Sequence, residues 1–226
     1  MTASKIVAAA ASGGSTDITH VEDVFATRLW DGNGNASDAY NQVQVAENGI
    51  ALGTANVGGS LDFKIGSYTG DAGNWVTLPA SSDFGFGTGD FTIEMFVYIE
   101  KTYNYGVLMD TRPKDLSASN DILIYVGENG QITFSKGNGN IAQSNSGSLL
   151  AGSWKHFALV RSSGTTKIYI DGTEAATASD NTNYRDPSTI WSIGGSYHAN
   201  SYTIDGYLSN VRICLLYTSP SPRDDT

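Results

Sequence analysis

The 226 residues include 26 Gly and 12 Tyr, 40% are hydrophobic, and the formal net charge is −10. That charge repels a phosphate backbone or an anionic bilayer, which excludes nucleic acid as a partner. The single cysteine, Cys214, rules out an intrachain disulfide or a cysteine zinc cluster, and no apolar run approaches the roughly 18 residues of a membrane-spanning helix, so membrane insertion is not expected.

Residues 1–59 are rich in Ala, Gly and Asn and predict an irregular, partly ordered N-terminal arm. Lys5–Ala11 imitates the start of a secretory signal, but its apolar run is shorter than the roughly 7–15 residues such a signal uses. A flexible or weakly helical arm is the expectation there. Within the arm, Val21–Trp30 reads as a strand with apolar anchors, and Asp31–Asn35 reads as a turn.

From Leu61 onward, apolar residues recur at every second position with turn residues between the runs, the pattern of a sandwich rather than of βαβ units. Phe91–Glu100 is the clearest case: Phe91, Ile93, Met95, Val97 and Ile99 share the face that must be core, and Thr92, Glu94, Phe96, Tyr98 and Glu100 share the other. Further strands are expected at 61–66, 75–78, 105–110, 121–126, 131–135, 155–161, 165–170, 189–195 and 202–213. Asn129-Gly130 and Asp171-Gly172 each predict a two-residue type I′ hairpin, because that turn needs positive φ at both central positions. Ser163-Gly164 turns the strand ending at Arg161 back on itself, so three successive strands form a meander. The fold class is therefore all-β, an antiparallel two-sheet jelly-roll sandwich.

Gly152-Ser153-Trp154-Lys155-His156-Phe157-Ala158-Leu159-Val160-Arg161, followed by Ile168-Tyr169-Ile170-Asp171-Gly172, resembles the core of laminin-G-like, concanavalin-like domains. In that family a W-x-H-x-A-x-V strand precedes a Y-x-D-G hairpin. Phe91–Val97 resembles the family's F-T-I-E-x-W strand, with Phe96 replacing Trp, and Asp205–Ile213 resembles its closing strand. The resemblance covers residues 60–213 and speaks to fold rather than to function. It implies a non-catalytic recognition or structural module of the kind found in adhesins, secreted sugar-binding proteins and phage tails or fibres. The runs Asp23–Gly32 and Asn48–Gly53 resemble structural proteins of environmental tailed phages. The partners that follow are a surface glycan or host receptor and other virion or adhesin subunits, and the location is the virion or the cell exterior.

Cys214–Asp224 reads, residue for residue, as one frame of a transposase-type sequencing adapter. This implies that 214–226 is a non-native tail and that the native sequence stops near Ile213, the alternative being a genuine tail.

Little in the sequence points to catalysis. Glucanases of the resembled fold use two carboxylates on one strand about 5–5.5 Å apart. Glu94 and Glu100 lie on one face but about 20 Å apart along a strand, so a divergent glycoside hydrolase is the alternative rather than the expectation. His20, His156 and His198 lack metal-ligand spacing, and there is no Gly-x-Ser-x-Gly elbow. Aromatic rings beside Asn and Asp side chains suit sugars, whose apolar faces stack while their hydroxyls hydrogen-bond. Two loop clusters have that character: Tyr103 and Tyr105 in one, and Tyr197, His198, Asn200 and Tyr202 in the other. No cofactor is required. Because some of the resembled domains hold Ca²⁺ at the sandwich rim, Asp62 and Asp205 are the expected metal ligands if a Ca²⁺ ion is bound.

Overall fold

Alternation of inward apolar and outward polar residues builds two antiparallel sheets packed face to face. The computed structural model describes residues 26–30, 46–48, 51–54, 59–62, 75–78, 80 and 84–216, apart from 103, 114–119, 138, 186–190 and 198–201. The first sheet runs β13 (Thr173–Ser179), β12 (Thr165–Ile170), β11 (Trp154–Ser162), β6 (Asp90–Lys101), β15 (Asp205–Leu216), β4 (Gly59–Asp62), β3 (Ala51–Thr54). A further strand, β1 (Ala26–Trp30), also pairs with β15. The second sheet runs β10 (Asn140–Gln143), β9 (Ile132–Lys136), β8 (Ile122–Val126), β7 (Gly106–Asp110), β14 (Trp191–Ile193), β5 (Trp75–Leu78), β2 (Ala46–Asn48). The expected two-sheet sandwich is thus present, and β11, β12 and β13 form the expected meander.

The inward row of β6 is buried as its alternation requires: Phe91, Ile93, Met95, Val97 and Ile99 are all at most 3% exposed. They meet Leu108, Ile124, Phe134 and Trp191 of the opposite sheet in one core. Each such side chain contributes about 1.5–3 kcal/mol on burial, and a row of them sets the pairing register, because a one-residue slip would turn the whole row outward. At one end of the core, the Phe91 ring lies 5.2 Å from Phe86 and 6.0 Å from Tyr184, both edge-on.

A buried polar staple closes the same end. Arg161 is 1% exposed, and its Nη1 donates to the Gly87 and Thr182 carbonyls at 3.2 and 2.8 Å. Its guanidinium sits 5.3 Å from the centre of the Tyr184 ring. The Tyr184 hydroxyl donates to Asp180 Oδ2 at 3.0 Å, and the Thr166 hydroxyl donates to the same oxygen at 2.7 Å. Burial pushes the Asp180 carboxyl up, but the bonds from Thr166, Thr182 and Tyr184 together hold it below its ordinary 3.8. Burial and the adjacent Asp180 charge push the Tyr184 phenol upward.

The turns refine the expectations. Ser163 and Gly164 have φ of 50° and 73°, and Asp171 and Gly172 have 50° and 76°, so both pairs form two-residue type I′ turns. The β8–β9 hairpin differs. Gly127 N–H donates to the Gln131 carbonyl at 2.8 Å, Gly130 N–H donates to the Gly127 carbonyl at 2.9 Å, and of Asn129 and Gly130 only Gly130 has positive φ. This is a three-residue loop with a glycine in the left-handed position. The reason is local: Asn129 spends its side-chain Oδ1 on the Gln131 N–H at 3.1 Å, which keeps Asn129 out of the left-handed region.

Three strands of the expected arm, β1, β2 and β3, are hydrogen-bonded into the sheets. At the other end β15 continues beyond Ile213 to Leu216, with Cys214 and Leu215 4% and 2% exposed.

Because Asp180 titrates below its unfolded value, the native state binds fewer protons than the unfolded chain between the two pKa values. The stabilisation is therefore complete above the ordinary carboxylate range and lost as pH falls through the depressed native value. Asp180→Asn is expected to lower stability by about 2 kcal/mol at pH 7 and to flatten the acid limb of the stability profile below about pH 4. Urea denaturation between pH 2.5 and 7 checks both, and an unchanged acid limb would refute the assignment.

Candidate functional site

Strand pairing gathers the outward residues of β8, β9 and β10 into one row. Tyr125 stands opposite Thr133, and Thr133 opposite Gln143. Their inward neighbours Ile124, Val126, Ile132 and Phe134 are core, so the pleat forces Tyr125 and Thr133 to the outer face. Over this row lies an open groove of about 510 Å³. The hairpin residues Glu128 and Asn129 form one wall, and Asn104 and Tyr105, at the entry to β7, form the other.

The aromatic part of the site is a run of three tyrosines. The Tyr105 ring is 5.1 Å from Tyr125 and 5.6 Å from Tyr202. Tyr105 and Tyr202 are 46% and 39% exposed, large values for aromatic side chains. Tyr202 has φ of 61°, a left-handed conformation unusual for a bulky side chain. It is held there by its own carbonyl, which accepts the Val107 N–H at 2.8 Å, and by the bridge between Val107 and Thr203. The backbone strain thus places the Tyr202 ring beside Tyr105.

The polar part is built from amides each held in place by one bond from its nitrogen. Gln143 Nε2 donates to the Thr133 hydroxyl at 3.0 Å, and Gln131 Nε2 donates to the Ser144 carbonyl at 2.7 Å. The side-chain oxygens of both glutamines have no partner among the described residues, which leaves them as acceptors. The Glu128 backbone carbonyl accepts the Thr102 hydroxyl at 2.7 Å, while its exposed carboxylate has no partner among the described residues.

Further along the same sheet the charged residues are mutually satisfied. Asp110, 2% exposed, accepts from Arg112 Nε and Nη2, both at 2.8 Å, and from the Ser196 hydroxyl at 2.6 Å. Arg185 Nη2 reaches Asp121 at 2.7 Å. Burial pushes the Asp121 carboxyl up against the opposing pull of Arg185. Burial would lower the Arg112 guanidinium, but the bond to Asp110, with the charges of Asp110 and Asp121, holds it above its ordinary value.

Of the residues expected from sequence, Tyr105 lines the groove and Tyr202 packs edge-on against its ring. Tyr197 does not join them; its ring packs 6.1 Å from Trp75 of β5, and its N–H donates to the Ser192 hydroxyl. Tyr103, His198 and Asn200 lie outside the described residues. Asp62 pairs in register with Tyr207, and Asp205 pairs with Lys101 across β6, which puts both at the same end of β15. Among the described residues no three His, Cys, Asp or Glu side chains cluster as a metal site. Tyr125, Gln131, Thr133 and Gln143 were not anticipated. The signal for the first three was present, since they alternate with the core residues Ile124, Val126, Ile132 and Phe134.

The profile of the laminin-G type within the concanavalin A-like lectin/glucanases superfamily matches residues 69–215. No curated protein gives a significant match. Among solved structures, domain 4 of AbnA, a GH43 extracellular arabinanase from Geobacillus stearothermophilus solved with arabinotriose, aligns with TM-score 0.58 at 14% identity, covering 85% of this chain and 95% of that one. The binding domain of botulinum neurotoxin DC, solved with SialylT, aligns with TM-score 0.58 at 14% identity over 85% of this chain and 48% of that one. Trypanosoma rangeli sialidase with the inhibitor DANA aligns with TM-score 0.60 at 15% identity over 83% of this chain and 30% of that one. This chain therefore spans about half of the toxin fragment and under a third of the sialidase, and at these identities the likeness is one of fold.

The strain at Tyr202 can be separated from its ring. Tyr202→Gly and Tyr202→Ala delete the same ring contact, but only glycine relieves the positive φ. The glycine variant is expected to be the more stable of the two by about 1 kcal/mol, measured by chemical denaturation. An alanine variant as stable as the glycine variant would mean the backbone is unstrained.

Proposed function

The chain belongs to the concanavalin A-like lectin/glucanases superfamily, and on that premise we propose that it is a non-catalytic carbohydrate-binding module whose ligand lies in the groove over Tyr125, Thr133 and Gln143. The observation that carries this reading is the juxtaposition of the Tyr125–Tyr105–Tyr202 rings with the unpaired glutamine oxygens. A pyranose or furanose ring presents an apolar face and a rim of hydroxyls, and the groove offers a surface for each.

Binding is favoured over hydrolysis by the acid count. Glycosidic cleavage takes two carboxyl groups flanking one bond, and the described groove lining holds one, Glu128. Asp110 and Asp121, on the same sheet, are each engaged by an arginine. The setting we propose is a phage tail or fibre, or a surface adhesin, where such a module contacts a host glycan or receptor. Its support is the likeness of residues 23–32 and 48–53 to phage structural proteins, and sequencing the genes on either side tests it.

Calcium is not required by this reading. An ion at the end of β15 near Asp205, with Asp62 on the neighbouring β4, would take its remaining oxygen ligands from backbone carbonyls. If it binds, adding Ca²⁺ raises the melting temperature and chelation reverses the rise; no response in either direction retires the site.

The groove itself is tested by glycan binding with the full chain. Tyr125→Ala and Tyr105→Ala are each expected to weaken binding by about tenfold or more, read by titration calorimetry, while circular dichroism remains that of the parent. Undiminished binding in both variants would place the ligand elsewhere.

A further inference from the structure

We infer that the groove selects uncharged glycans and turns away those bearing carboxylate or sulfate groups; this rests on the carbohydrate-binding reading above. Recognition of an acidic sugar calls for an arginine or lysine to take its anionic oxygens. Among the described residues the lining contains none, and its one charged side chain is Glu128, exposed and without a cationic partner. The two arginines placed on this sheet cannot substitute. Arg112 grips Asp110 through two nitrogens, and Arg185 is paired with Asp121, so each cation is already neutralised.

The neutral groups suit a hydroxyl-bearing ligand. Gln131 and Gln143 each spend one amide N–H within the protein, which leaves the side-chain oxygen as an acceptor and the second N–H as a donor. The Glu128 carboxylate accepts as well. The hydroxyls of a neutral sugar can donate to the carboxylate and the glutamine oxygens, whereas an anionic group would meet the like charge of Glu128 with no cation in the described lining to offset it. A formal charge of −10 on the whole chain adds a long-range field of the same sign.

The test is an array of neutral oligosaccharides printed beside their sialylated, sulfated and uronate-bearing counterparts, probed with the full chain, Tyr125→Ala and Glu128→Gln. The expected result is binding to neutral members, weaker binding to their acidic partners, and loss of both in Tyr125→Ala. In Glu128→Gln the preference for neutral over acidic members narrows by roughly fivefold, and raising salt to about 0.5 M narrows it in the parent protein. Acidic members bound as well as neutral ones, with both lost in Tyr125→Ala, would overturn the selectivity and leave the groove as a glycan site. No binding to any member would overturn the carbohydrate reading and the selectivity with it.

Discussion

The burial of one side of β6 is the constraint on which the rest of the molecule is hung. Phe91, Ile93, Met95, Val97 and Ile99 can enter the core only together, because the pleat ties their directions. Once they are inside, the pairing of β6 with β11 and β15 has one satisfactory register on each side. Their outward neighbours are then fixed as well. Glu94, 3% exposed, meets Arg212 at 2.6 Å, and Tyr98 lies between Trp154 and Tyr207 at 5.7 and 5.8 Å. The opposite sheet must present Leu108, Ile124 and Phe134 to the same core, and that puts Tyr125 and Thr133 on its outer face, where Thr133 lies covered beside Gln143.

The two ends of the sandwich core treat polar groups in contrasting ways. Around Asp180 the donors and acceptors of Thr166, Thr182 and Tyr184 close upon one another, and the buried Arg161 ties Gly87 to Thr182. Around the Asp180 carboxylate such a network specifies one arrangement of the chain, while Arg161 Nε stays without a partner among the described residues. At the groove the hydrogen bonding is left incomplete on the solvent side, with glutamine oxygens and tyrosine faces held by strands but not consumed by them. A rigid frame that withholds a few polar groups from its own interior lets a ligand bind at little conformational cost.

Local features were legible where neighbours in sequence are neighbours in space. The alternation of β6 and the positive φ at Ser163-Gly164 and Asp171-Gly172 follow from a few adjacent residues, and the structure has them as expected. Asn129-Gly130 shows the limit, since the choice between a two- and a three-residue loop turned on whether Asn129 used its side chain on the backbone. The groove was legible only in part. Tyr105 and Tyr202 stood out as exposed aromatics among turn residues, but their meeting depends on the Val107 to Tyr202 hydrogen bond, which no local pattern announces. Gln143 lies in a short strand after a glycine-rich turn, and its place beside Thr133 is set by pairing with β9 across a bulge. The Arg161 bond to Gly87 spans 74 positions, a separation at which only the folded topology carries information.

The pairing of β1 with β15 has a mechanical consequence. Ala26 stands opposite Leu215 and Trp30 opposite Val211, so the polypeptide enters and leaves the sandwich side by side at one end of the same sheet. The first residue of β1 and the last residues of β15 are therefore neighbours in space although about 190 positions separate them in sequence. Pulling those two points apart would open the β1–β15 ladder one residue pair at a time and would load the β6 pairing that holds Leu215 to Phe91, while the tyrosine groove belongs to the other sheet.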